Sequence, residues 1–136
     1  MDENKMNKCI NRLIYGMEIK KMTKKGNGRP HKRIFYIFEE DLTKLQWLSD
    51  RKLNRDTRID LRTVSRITEV PTAMKAKAQL KYDKNLILSI HYGNDQEIVL
   101  LFEDSEAKME WWCGLQYFVQ KAISTFRKQY ISYKIF

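Results

Sequence analysis

"SEAKMEWWCGLQYFVQKAISTFRKQY", Ser105 to Tyr130, is the stretch whose reading decides the architecture. Trp111, Leu115, Phe118 and Ala122 recur at i, i+4, i+7 and i+11, and Trp112, Val119, Ile123 and Phe126 form a neighbouring stripe. Side chains at that spacing share one face of a 3.6-residue helix, so the spacing predicts an amphipathic α-helix. Asp104 or Ser105 supplies the oxygen for its N-cap. An amphipathic helix must bury its apolar face against another element.

That element lies upstream, where the periodicity changes from 3.6 to 2. "EIVLLFE" (97–103) and "NLILSIHY" (85–92) read as two strands joined by the turn "GNDQ" (93–96). Further back, "SRITEV" (65–70, ended by Pro71), "RIDL" (58–61), "TKLQW" (43–47) and "KRIFYIF" (32–38) read as four more. In the first strand, Leu13, Tyr15, Met17 and Ile19 share one parity, with Gly16, Glu18 and Lys20 on the other. "KKGNGRP" between the first two strands is a loop. "TAMKAKAQLKYDK" (72–84) is a long connection with little pattern. His91 shares parity with Ile87 and Ser89 and is expected on the surface. Seven short strands in sequence suggest an antiparallel sandwich or barrel, with the helix over its open end.

At 136 residues, 43% hydrophobic and 12% aromatic, the chain has the size and composition of one globular domain. Residues 1–11 are expected to be a flexible segment, 12–122 the domain, and 123–136 a continuation of the helix and a tail. No apolar run approaches a membrane span. "MDENKMNKC" at the start has no apolar h-region and does not read as a signal peptide. Two cysteines, Cys9 and Cys113, are too few for a disulfide framework, so a reducing intracellular setting is the simplest reading. Cys113 reads as an inert thiol on the helix, and Cys9 as a free thiol that could alternatively accept an acyl chain.

The net charge of +9 is unevenly spread. "KKMTKKGNGRPHKRIFYIF", Lys20 to Phe38, holds seven Lys or Arg and no acid, while the other 117 positions hold 19 basic and 17 acidic residues. Such a run is ordinarily a solvated turn. Confinement of the excess to one hairpin instead points to a phosphate-bearing partner. Parity puts Lys21 on the inward set with Met17 and Ile19, and Arg33 with Phe35 and Ile37. Both cations are therefore expected side by side where the core pattern runs out. Cations held together are a binding-site signature, because an anion relieves their repulsion. Two histidines with no H-E-x-x-H, no C-x-x-C and no nucleophile elbow leave hydrolase and metal chemistry without parts. Gly26 and Gly28 do not form a P-loop, because no G-K-[ST] follows.

Taken in order, these segments resemble a pleckstrin homology (PH) domain over about Leu13 to Lys121. "LIYGMEIKK" resembles the family's opening strand. "KRIFYI" resembles the Arg-x-aromatic-x-aliphatic second strand. "LQWLSDRK" and "RIDLRTVSRITEV" resemble the third to fifth strands. "WWCGL" resembles the helix with its signature Trp, here Trp111. The resemblance implies a mainly β fold: a seven-stranded antiparallel sandwich or partly open barrel capped by one C-terminal α-helix. It also implies a non-enzymatic module for anionic phospholipid headgroups, phosphatidic acid or a phosphoinositide, with no cofactor.

The headgroup residues so implied are Lys20, Lys21, Lys24, Lys25, Arg29, His31, Lys32 and Arg33, with Arg51 and Lys52 at basic positions used by the phospholipase C delta member. His31 departs from the family, which often has a basic residue there. The chain is also similar to the small acylated PH proteins of apicomplexan parasites, which recognise phosphatidic acid and begin Met-Gly with a nearby Cys; this chain begins Met-Asp. The implied location is cytoplasmic, peripheral on the cytosolic face of a membrane. The alternative is a protein-interaction module using the aromatic helix and tail. Nucleic acid ranks last, because no exposed aromatics interleave with the basic loop.

Overall fold

The computed structural model describes residues 2–22, 29–48, 57–71 and 81–135, with side chains through residue 125. Seven strands form one antiparallel sheet: β1 (Met17–Lys21), β2 (His31–Ile37), β3 (Lys44–Trp47), β4 (Arg58–Asp60), β5 (Val64–Thr68), β6 (Ile87–Tyr92) and β7 (Gln96–Leu101). Their order is β4-β3-β2-β1-β7-β6-β5. The two edges, β4 and β5, are consecutive in the chain and joined by the 3-10 turn Leu61–Thr63. The sheet is not closed, yet its edges lie one short turn apart.

The C-terminal helix α2 (Ser105–Ile135) covers the open end, as its spacing predicts. Asp104 caps it, its carboxylate accepting from the Ala107 amide at 2.8 Å. Trp111, Leu115, Phe118, Val119 and Ala122 are buried in one core with Phe35, Ile37, Leu45, Ile59, Leu88, Ile90 and Leu100. The Trp111 ring stands edge-on to Phe35 at 6.3 Å and lies 5.6 Å from Phe102, an offset geometry that aromatic pairs favour. Near the start of α2, Lys108 is only 2% exposed. Its ammonium donates to the Lys84 carbonyl at 3.2 Å, faces Glu69 at 3.4 Å and lies 5.8 Å over the Trp112 ring. A buried charge is tolerable only with such partners.

Two expectations are corrected. The segment expected to be flexible, together with the start of the expected first strand, is a helix, α1 (Glu3–Tyr15). Asp2 caps it by accepting from the Lys5 amide at 2.8 Å, and Glu3 sits favourably in the first turn. Cys9 and Leu13, four apart, are buried against α2, while Tyr15 is 85% exposed, against its strand parity. Gly16 then turns the chain into β1 at φ 94°, a left-handed conformation that favours glycine, and its amide donates to the Arg12 carbonyl at 3.1 Å. His91 is buried, not on the surface. β6 lies between β5 and β7 and is covered on both faces, so Ile87, Leu88, Ser89, Ile90 and His91 are all buried and parity no longer separates inside from outside.

Candidate functional site

The β1–β2 hairpin pairs Met17 with Phe35, Ile19 with Arg33, Lys20 with Lys32 and Lys21 with His31. Directly opposed residues in an antiparallel pair share a face. One face therefore carries Met17, Ile19 and Lys21 with His31, Arg33, Phe35 and Ile37. Ile19, Phe35 and Ile37 are buried on it, Lys21 and Arg33 are half-buried, and His31 is exposed. The apolar core thus stops at Ile19 and Phe35, and the cations begin one step further on. Lys21 and Arg33 are diagonal neighbours, because Lys21 faces His31 across the ladder.

Local contacts orient these cations. The Lys21 ammonium lies 5.9 Å over the Trp47 ring, whose π-face attracts it. Trp47 is held by pairing with Phe35, 5.4 Å away ring to ring. Arg33 Nη1 donates to the Lys32 carbonyl at 2.7 Å. On the opposite face Lys20 and Lys32 oppose each other, like charges that repel. Lys32 leans to Glu18 at 3.8 Å. Arg29 is exposed at the hairpin's approach. Lys24, Lys25, Arg51 and Lys52 lie outside the described residues, as does the side chain of Phe126.

The two faces differ in charge balance. The outer face borders a cleft of about 490 Å³ whose lining includes Lys20, Lys32 and Lys81 but also Glu18, Asp83 and Glu103. Three acids against three lysines make a poor anion trap. Lys21, His31 and Arg33 share the inner face, on which β1 and β2 place no acid, since Glu18 belongs to the outer one.

A separate cluster escaped the sequence reading. Ser89 Oγ donates to Glu97 Oε2, and His91 Nε2 lies 3.2 Å from that oxygen, 3.4 Å from Ser89 Oγ and 3.3 Å from Thr68 Oγ1. The β6–β7 turn held the clue, since its register sets His91 opposite Glu97. A catalytic triad requires the acid on one ring nitrogen and the hydroxyl on the other. Here Nε2 faces both, and Ser89 is fully buried. The arrangement pairs buried polar atoms with one another.

Cys9 is 4% exposed and lies against Cys113, so an acyl chain on it would require α1 to leave α2. Among the described residues no group of three or more His, Cys, Asp or Glu could hold a metal ion, and no helix is long and apolar enough to cross a membrane.

The sequence matches no protein-family model and no curated protein. Solved structures do match. Inner membrane complex sub-compartment protein 3 (ISP3) from Toxoplasma gondii is similar at TM-score 0.62 and 10% identity, covering 90% of this chain and 88% of that one. ISP1 from the same organism is similar at TM-score 0.62 and 16% identity, covering 91% and 94%. The PH domain from TgAPH is similar at TM-score 0.56 and 12% identity, covering 88% and 93%. The chain has a PH-like fold. The seven-stranded open sheet capped by α2 agrees with that likeness along nearly the whole chain, as the ordered segments lead one to expect.

Proposed function

We propose that this PH-like domain is a non-enzymatic module that docks on an anionic membrane surface through the β1–β2 hairpin. The observation that carries the reading is the inner-face register: Lys21, His31 and Arg33 follow directly on the buried Ile19 and Phe35. Charged side chains are thereby held at the rim of a rigid, apolar end. The ligand is an anionic phospholipid headgroup, phosphatidic acid or a phosphoinositide, with Lys20, Arg29 and Lys32 adding charge beside it and Lys24, Lys25, Arg51 and Lys52, outside the described residues, proposed as further headgroup contacts. The inner membrane complex named for ISP1 and ISP3 is consistent with work at a membrane.

Each basic side chain near an anionic leaflet contributes ~1 kcal/mol, so four engaged cations supply roughly 4 kcal/mol before headgroup contacts. Such binding is weak and salt-sensitive, and a second anchor is expected for stable residence. The test is co-sedimentation with vesicles of phosphatidylcholine alone or with phosphatidic acid or a phosphoinositide, over a range of salt. Lys21→Ala with Arg33→Ala removes ~2 kcal/mol of surface attraction, about 30-fold in affinity, plus any headgroup hydrogen bonds. Lys20→Ala with Lys32→Ala removes the same charge from the other face. The inner pair must cost clearly more; equal losses refute a headgroup pocket, and equal pelleting with neutral vesicles refutes the membrane reading.

Protein docking on α2 is the second reading. One observation favours it: Met109 is 56% exposed and, with Trp112, lines a groove between α1 and α2.

A further inference from the structure

The crossing of α1 and α2 brings together both cysteines of the chain, Cys9 and Cys113, from opposite ends of the sequence. Gly114 makes the approach possible. A Cβ there would lie 2.5 Å from the Cys9 carbonyl oxygen and 2.3 Å from Leu13 Cδ1, so the two helices touch where glycine leaves room. Cys113 is the next residue, so the same close approach brings its side chain beside Cys9. Cys9 is buried and Cys113 is half-buried. Both line a groove of about 540 Å³ that Lys5, Lys8, Met109 and Trp112 also border. Two ion pairs flank the contact: Lys8 to Glu110 at 3.1 Å and Arg12 to Glu110 at 3.0 Å. With no third ligand grouped among the described residues, a dithiol without a metal is the chemistry this site supports.

We propose that Cys9 and Cys113 form a reversible disulfide that staples α1 onto α2. The oxidant is a low-molecular-weight disulfide such as oxidised glutathione, which reaches the more accessible Cys113 from the groove. The Cys113 thiolate attacks one glutathione sulfur and expels the first glutathione thiolate. The Cys9 thiolate then attacks Cys113 Sγ and expels the second. Two protein thiols are oxidised to one disulfide. One glutathione disulfide is reduced to two thiols, which take up the two protons released. Burial, the adjacent Cys113 and Glu110 push the Cys9 thiol up, with Lys8 opposing, so Cys9 is the slower, resolving partner and ring closure quickens as pH rises. The disulfide closes a loop spanning most of the chain, which constrains the unfolded state strongly.

The full chain is equilibrated in buffers from fully reduced to fully oxidised glutathione, then analysed by intact mass, non-reducing peptide mapping and thermal melting. The expected product is a monomer lighter by two hydrogen atoms, with the peptides of Cys9 and Cys113 linked and Tm raised by about 10 °C. Reduced glutathione reverses both changes. Cys9→Ser removes only the resolving thiol; it should trap glutathione on Cys113 and lose the Tm rise. Overturning results are a stable glutathione adduct on the wild-type chain, a disulfide-linked dimer as the main product, or two unreacted thiols in the most oxidising buffer.

Discussion

Gly114→Ala tests the α1–α2 contact with a prediction of unusual sign. Within a helix interior, Gly→Ala ordinarily stabilises by ~1 kcal/mol, because alanine loses less backbone entropy on folding. Gly114 sits inside α2, so propensity alone predicts a gain. The packing predicts the reverse. A Cβ at this position would meet the Cys9 carbonyl oxygen at 2.5 Å and its carbonyl carbon at 3.0 Å, besides Leu13 Cδ1 at 2.3 Å. Leu13 can rotate, but the Cys9 backbone cannot yield unless all of α1 moves. Displacing α1 strains the Glu110 ion pairs and uncovers Leu13, which is fully buried. Overpacking of this kind costs ~1–3 kcal/mol and exceeds the propensity gain. The expected net change is a loss of up to about 2 kcal/mol, or a Tm lower by as much as ~8 °C for a domain of this size. Thermal and urea melts measure it. Cys9 should also react faster with a thiol reagent, since α1 has lifted away from it. A variant stabilised by ~1 kcal/mol, with unchanged Cys9 reactivity, would refute the close crossing and the disulfide that depends on it.

Trp111→Ala should cost ~3–5 kcal/mol, a large share of the stability of a single domain, and a melt with unchanged Tm would mean that α2 does not cap the sheet. Asp60 gives a pH dependence. Hydrogen bonds from Arg62, aided by Lys44 and opposed by burial, lower its pKa to about 2. The carboxylate therefore contributes stability that is fully present above its unfolded pKa of ~4 and is lost as pH falls through the folded value. With that side chain 29% exposed, solvent screening limits the contribution to about 1–2 kcal/mol. Asp60→Asn should flatten this part of the acid limb in stability measured between pH 5 and 2, and an unchanged limb would count against the Asp60–Arg62 pair.

Period alone made much of the fold legible. The α2 stripe at Trp111, Leu115, Phe118 and Ala122 and the alternation through β2 depend only on residues a few positions apart, which one element presents to one neighbour. The inward parity of Arg33 with Phe35 and Ile37 was legible for the same reason. Where two elements decide a position, local pattern was not enough. Leu13 fits a strand by its parity with Met17 and a helix by its i, i+4 spacing from Cys9; the buried contact of Cys9 and Leu13 with α2 at Gly114 chose the helix as far as Tyr15, and the strand begins only at Met17. His91 alternates like a surface residue, but β5 and β7 flank its strand and both faces are covered. Lys21 and Arg33 were expected side by side; the register of β1 on β2 made them diagonal and gave Lys21 to His31. The two cysteines show no relation in sequence and meet only because two helices cross. Periodicity records which face of an element is apolar. Which neighbour covers that face, and in what register, is set by packing between residues far apart in the chain.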